Sequence, residues 1–234
     1  MTTTGSDKIK KLRDMFIRSA PRFQRFVIDR LDEMEYFKDF TLSAIKNEKK
    51  AISERFDRDT KALSDEQKEE YYEWNSEDLF LIEDVFSQIS LKSFIVILYS
   101  YIEDGLNTIC NAEYSDRSRL QKKKGLDEFK IKYIDIRGKG IYRAKLYLEN
   151  VIGRDLKSDK KPWSEIVTLG KIRNAIVHED TYANDNLKND GNFKQHLTGG
   201  RLKLETHEKL IIDATYLDYI LQKTKEFFNG IDLK

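Results

Sequence analysis

The segment Lys171-Ile172-Arg173-Asn174-Ala175-Ile176-Val177-His178-Glu179-Asp180 crowds a guanidinium, a carboxamide and an imidazole into one short stretch. An imidazole exchanges protons near neutral pH. A guanidinium presents a planar fork of donors to anions, and a side-chain amide both donates and accepts. In a helix Asn174 and His178, four residues apart, share one face. The Arg173 Cα lies roughly 140° around the axis from that of His178, and its long side chain can still swing to the Asn/His edge. Ile172, Ala175, Ile176 and Val177 are apolar and would anchor the helix to a core, with the polar trio on its rim. The plainer alternative is a surface helix that ends on a histidine, where a cationic ring suits the helix dipole.

The elements that must position these residues read as helices. The 234-residue chain holds two prolines, Pro21 and Pro162, and eleven glycines. Scarce helix breakers among abundant Lys, Glu, Leu and Ile point to an all-α helical bundle. Arg22 to Asp59 predicts one long amphipathic helix on Leu31, Met34, Phe37, Phe40, Ala44, Ala51, Ile52 and Phe56. After a turn over Thr60 to Leu63, Ser64 and Gln67 stand at capping-box spacing. A second long helical region follows to about Tyr114, with a break expected near Asn75-Ser76. The two predict an antiparallel αα-hairpin.

Within the second region Leu91 to Cys110 is apolar almost all round, and Ser93, Ser100, Glu103 and Asn107 fall on one arc. That arc is either the solvent face or a polar seam toward the Arg/His helix, with Glu103 as the acidic partner. Ser115 to Gly140 reads as a basic loop with a short helix near Leu126 to Tyr133. Tyr142 to Ile152 reads as a helix and Arg154 to Lys161 as a charged loop. Pro162 and Ser164 start the Arg/His helix, with Trp163 placed to staple it. Thr181 to Gly200 reads as a loop on the His178 end, either a lid or surface filler. Arg201 to Glu205 reads as extended, and His207 to Asn229 as a closing amphipathic helix. The domain expectation is a basic N-terminal and long-helix part over 1–60 and a bundle over 61–234, or one continuous domain over 7–230.

Composition excludes several classes. The net charge of +1 gives no global pull on nucleic acid. A basic surface must be local, over Asp7 to Ala20 or Arg117 to Lys124, and such charge runs also serve as solvated faces. Cys110 is the single cysteine, which rules out an internal disulfide and, with three histidines, an ordinary zinc cluster. No metal or other cofactor is expected. The longest apolar run, Phe94 to Ile102, is interrupted by Ser100 and too short to span a bilayer. Met1 to Asp14 carries no apolar signal core. The expectation is a cytoplasmic protein without membrane contact.

Arg173-Asn174-x-x-x-His178 resembles the signature of the HEPN superfamily, an Arg and a His separated by a short spacer with a small polar residue directly after the Arg. The helical plan over Asp78 to Phe228 is similar, and Tyr99-Ser100-Tyr101-Ile102-Glu103-Asp104-Gly105-Leu106 looks like the family's long-helix segment with its embedded acidic residue. Position 180 is Asp, not the Tyr that marks one toxin subgroup. The resemblance implies a HEPN-like bundle acting as a metal-independent endoribonuclease, of the toxin–antitoxin or phage-defence kind. It implies a homodimer in which two motif helices form a composite cleft, an RNA substrate and an antitoxin partner, such as a nucleotidyltransferase-type protein. His178 would then serve as general acid/base and Arg173 would neutralise the phosphorane. Asn174 would orient His178 or the phosphate, and Glu103 would fix Arg173 or the His tautomer. Two other readings compete: a non-catalytic HEPN-like binding or scaffold protein, and a helical interaction protein in which the motif is coincidental.

Overall fold

A computed structural model of the chain describes residues 19–231 apart from Glu128. The basic stretch over Asp7 to Ala20 lies, as far as residue 18, outside the described residues. The described chain is mostly helical, with one two-stranded antiparallel sheet.

Helix α1 spans Ser19–Thr60. Pro21 falls in its first turn, where a backbone N–H would have no helical acceptor anyway. Helix α2, Asp65–Phe80, starts on the capping box legible in the sequence. The Gln67 N–H donates to Ser64 Oγ (3.3 Å) and the Ser64 N–H to Gln67 Oε1 (3.0 Å). The break expected near Asn75-Ser76 does not occur. Asn75 Nδ2 donates to the Tyr71 carbonyl and Ser76 Oγ to the Glu73 carbonyl, so both polar side chains are satisfied inside the helix. The irregularity comes later, as a π-helical turn over Leu81–Phe86 that runs straight into α3, Ser87–Lys123. Helix α3 outlasts its expected end near Tyr114 and absorbs much of the expected basic loop. Neither Gly nor Pro interrupts that stretch until Gly125, which takes a φ of +68°.

Helix α4, Gly140–Leu146, continues through a second π-helical turn, Tyr147–Ile152, and stops at left-handed Gly153. Helix α5, Lys161–His178, carries the motif. The expected loop over Thr181 to Gly200 is instead two short helices, α6 (Asp185–Lys188) and α7 (Gly191–Thr198). Each has its own cap: Asn184 Oδ1 accepts from the Leu187 N–H, and Asp190 Oδ1 from the Asn192 and Phe193 N–H groups. Strand β1, Leu202–Leu204, pairs antiparallel with β2, Leu210–Ile212, in the register Leu202↔Ile212. The closing helix α8 is therefore shorter than expected, Ala214–Gly230. Leu210, Ile211 and Ile212 fit a helical stripe as well as a strand. Pairing with β1, which buries Leu202, Leu210 and Ile212, decides for the strand.

Contacts between Cα atoms group the residues into two compact units. The first takes the described part of Met1–Asp32, Ile97–Gly170 and the described part of Tyr219–Lys234. Its core holds Ile102, Leu106, Ile166, Leu169, Ile220 and Phe228, all buried. Helices close up at Gly105, where a Cβ would sit 3.1 Å from both Phe228 and Val27. Trp163 is buried with its ring 5.5 Å from Phe227. Two buried carboxylates are matched: Glu165 takes Lys161 and the Tyr219 hydroxyl, both at 2.9 Å, and Glu113 takes Arg154 at 2.6 Å.

The second unit takes Glu33–Val96 and Lys171–Asp218. Its core is built from Leu91, Phe94, Ile95, Ile172, Phe193 and Tyr216. Side chains of α1 and α2 meet at Phe56–Tyr71, with ring centroids 5.6 Å apart, and at the Arg55–Asp78 pair. The expected stripe on α1 is interrupted. Met34, Ile52 and Phe56 are buried, but Phe37 and Phe40 are 53% and 64% exposed.

Candidate functional site

The motif half of α5, Lys171 to His178, belongs to the second unit. Ile172 and Ala175 are buried and fix the helix there, while Val177 is 44% exposed and anchors nothing. The burial stripe leaves Arg173 half-buried and Asn174 and His178 exposed.

The structure brings the three together. Arg173 Nη1 donates to Asn174 Oδ1 at 3.1 Å and lies 3.2 Å from His178 Nε2. A guanidinium nitrogen can only donate. A hydrogen bond between them therefore has His178 Nε2 accepting, which requires the tautomer with its proton on Nδ1. The i,i+4 spacing puts the two acceptors on one face, and the flexible arginine stem supplies the rest. Arg173 Nε is buried without an acceptor among the described residues. A buried N–H left unpaired is costly, and here it leaves the cluster with an unused donor.

The backbone beyond His178 is held in unusual angles. Asp180 and Thr181 have φ of 47° and 71°. That region is sterically disfavoured for residues with a Cβ, most of all for a β-branched one. The Thr181 N–H donates to the Ala175 carbonyl at 2.9 Å and closes the end of α5. Glu179 Oε1 accepts from Asn184 Nδ2 at 2.6 Å, and Lys171 Nζ reaches Asp190 Oδ2 at 2.8 Å. The caps of α6 and α7 are thus tied back to the motif helix and its end. Strained angles of this kind cost on the order of 1–3 kcal/mol each and persist where the surroundings over-determine them.

Glu103 belongs to the first unit. Its Oε1 lies 2.5 Å from where a Cβ on Gly140 would sit, at the start of α4. A φ of +54° strains any residue with a Cβ at position 140, and the Glu103 carboxylate would have to move aside for it. Of the polar arc read on α3, Ser93 and Ser100 are exposed, and Glu103 and Asn107 are half-buried. His196 is buried in the second unit with its ring 5.0 Å from that of Tyr216. Burial and the field of Glu113 raise the Cys110 thiol to about 12, so it stays protonated. Among the described residues no group of three His, Cys, Asp or Glu side chains is placed to hold a metal ion, and no helix is long and apolar enough to cross a membrane.

Sequence reasoning missed the frame around the trio. Asn184 three residues before Leu187, and Asp190 before Asn192 and Phe193, are cap signals that could have exposed α6 and α7. The left-handed Asp180 and Thr181 have no such signal, since neither is glycine.

No family model matches the chain, and no curated protein or solved structure matches it.

Proposed function

We propose that this protein is a metal-independent endoribonuclease with a HEPN-like antiparallel helical plan, acting as a toxin or defence effector through Arg173, Asn174 and His178. The observation that carries the reading is one guanidinium nitrogen within reach of both Asn174 Oδ1 and His178 Nε2.

In the free enzyme the arginine occupies the imidazole nitrogen that a base needs. A phosphate is a stronger acceptor for a guanidinium than a neutral imidazole, because its hydrogen bonds are charge-assisted on both sides. An incoming phosphodiester would draw Arg173 onto its non-bridging oxygens, with the unpartnered Nε as a second donor, and release Nε2. His178 would then take the proton of the 2′-hydroxyl as its oxygen attacks phosphorus. The bond from phosphorus to the 5′-oxygen breaks, and the proton taken up by His178 passes through solvent to that oxygen, which leaves the imidazole neutral again. The products are a 2′,3′-cyclic phosphate and a 5′-hydroxyl. Arg173 neutralises the charge that builds on the equatorial oxygens, and Asn174 holds the guanidinium over the site. In this reading two copies of the chain supply a composite cleft.

The test is RNA cleavage by purified protein in EDTA, with product ends identified. His178→Ala is expected to lower the rate by about 100-fold or more. Because the side chain is exposed, thermal stability should move by less than about 0.5 kcal/mol. Cleavage that requires added metal, or full activity in the alanine variant, refutes the reading. One observation favours a second reading, a non-catalytic HEPN-like scaffold: the trio satisfies its own acceptors without a substrate. Expression in growing cells separates the two, because toxicity that disappears with His178→Ala belongs only to the nuclease.

A further inference from the structure

Within the first unit, α1 and α3 come close at Gly105, where a Cβ would sit 3.1 Å from Val27. Around that point, between Arg30 and Leu31 on α1 and Tyr101, Asp104 and Thr108 on α3, only about 10 Å³ is open. Toward the start of α1 the two helices part, and a groove of about 820 Å³ opens between them. Phe23 and Phe26 form its α1 wall. Its α3 wall is Thr108, Asn111, Ala112, Ser115, Asp116 and Arg119, whose steps of three and four residues make it one face of the helix.

Phe26 lines both the narrow and the wide part. On the narrow side the Arg30 guanidinium lies 5.5 Å from its ring centroid and 4.9 Å from that of Tyr101, a cation–π contact that braces the phenyl ring. The ring is nevertheless 52% exposed, and that of Phe23 is 37% exposed. Opposite these two rings the α3 wall is small and polar rather than aliphatic. An apolar helix laid in the groove would cover the phenyls but bury an amide, two hydroxyls and a carboxylate without partners. A nucleobase suits both walls. Its flat face stacks on the phenyls, and its edge carries donors and acceptors for Asn111, the Thr108 and Ser115 hydroxyls and Asp116. Asp116 disfavours a phosphate beside it, whereas Arg119, with Lys122 one turn further along, is exposed and gives that end of the groove a positive charge.

We propose that this groove binds a nucleotide unit of single-stranded RNA, with the base stacked on Phe23 and Phe26, its edge read by Asn111 and its phosphate held at Arg119. That the strand is RNA rests on the ribonuclease reading, and the stacking and pairing chemistry rests on the groove alone.

The test uses the full chain carrying His178→Ala, so that RNA stays uncut, and measures affinity for a short oligoadenylate and for an abasic ribose–phosphate strand of the same length. Adding Phe23→Ala and Phe26→Ala is expected to weaken oligoadenylate binding about tenfold, the scale of losing one base–aromatic stack, and to leave the abasic strand unchanged. Phe26→Trp keeps a ring and should retain binding, with the fluorescence of the added indole quenched by oligoadenylate but not by the abasic strand. Arg119→Gln should weaken both strands and flatten the salt slope by about 0.7, the share of one phosphate contact on a single strand. A parent that binds oligoadenylate no better than the abasic strand, equal loss of both strands in the alanine variant, or an indole that is not quenched overturns the groove. So do alanines that split a dimer while base-dependent binding persists, which would give the groove to a second copy of the chain. If wild-type protein leaves RNA intact but the alanines remove base-dependent binding, cleavage falls and the groove stands. If wild-type protein cleaves and base-dependent binding does not move, the groove falls and cleavage stands.

Discussion

Arg173 Nη1 serves two acceptors, while Nε of the same side chain is buried with none among the described residues. That division makes lysine a poor replacement. An ammonium keeps the charge, but its donors all leave one atom, so under the ribonuclease reading it cannot offer phosphate the two parallel bonds of the planar fork. Arg173→Lys is therefore expected to lower single-turnover RNA cleavage by about 100-fold, the scale of losing one preorganised donor to a developing oxyanion. Asn174→Ala removes only the group that steadies the guanidinium, and a smaller loss is expected. A lysine variant with wild-type rates would remove Arg173 from the chemistry. The identities of these residues were legible in the sequence, as was the shared face of Asn174 and His178. That one guanidinium nitrogen reaches both was not, because it depends on an arginine rotamer set by the half-buried rim of the helix.

At the scale of elements, two positions bear directly on how α5 and α8 are held. Gly170 sits on α5 three residues before Arg173, and a Cβ there would lie 2.9 Å from the Tyr99 ring. Overpacking costs about 1–3 kcal/mol, more than alanine regains in helix propensity. Gly170→Ala should therefore lower the urea midpoint. Asp213 caps α8, accepting from the Thr215 hydroxyl at 2.6 Å and its N–H at 2.9 Å. These bonds, the hydroxyl first, hold its carboxyl below the ordinary value. A depressed folded value adds stability above the unfolded value, near pH 4, and loses it as the pH falls through the folded value. Asp213→Ala should thus cost about 1 kcal/mol at pH 7, with the gap to wild type narrowing in acid. Urea titrations at pH 7 and pH 3 check this, and a gap independent of pH would dismiss the charged cap. The capping box at Ser64 and Gln67 was readable because all its partners are local. Of the β1–β2 pair the extended stretch Arg201 to Glu205 held β1, but β2 was not readable, because a strand of three residues exists only through a partner elsewhere in the chain.

At the scale of the whole molecule, the second unit leaves large apolar side chains uncovered. Trp74 is 79% exposed, and Tyr36, Phe40 and Phe80 are exposed as well. Uncovered apolar surface of that size marks interaction sites in soluble proteins. Under the ribonuclease reading a second copy of the chain is expected to bind. Sedimentation equilibrium at micromolar concentration should report a dimer, and a strict monomer would remove the composite cleft while leaving the Arg173/His178 chemistry to be judged by cleavage alone. Buried pairs inside the first unit give a contrasting expectation. Arg154→Ala strands the buried Glu113 carboxylate and should destabilise the fold by about 3–5 kcal/mol, measured by chemical unfolding.

The sequence by itself determined the helical class, the capped start of α2, the span of the motif helix and the three side chains that could do chemistry there. Those features follow from local propensity and from a spacing that a single helix enforces. Tertiary structure decided the rest. It chose β2 over an extension of α8, turned an expected loop into two capped helices, and left Phe37 and Phe40 outside a core that periodicity alone assigned them to. It also brought the Gln88 side chain of α3 onto the Ile212 backbone of β2, which 123 intervening residues keep apart in the chain. The physical reason is the same throughout. A hydrophobic period states which face an element would bury, but only packing between distant segments states what covers that face, and which charged groups come to share a place.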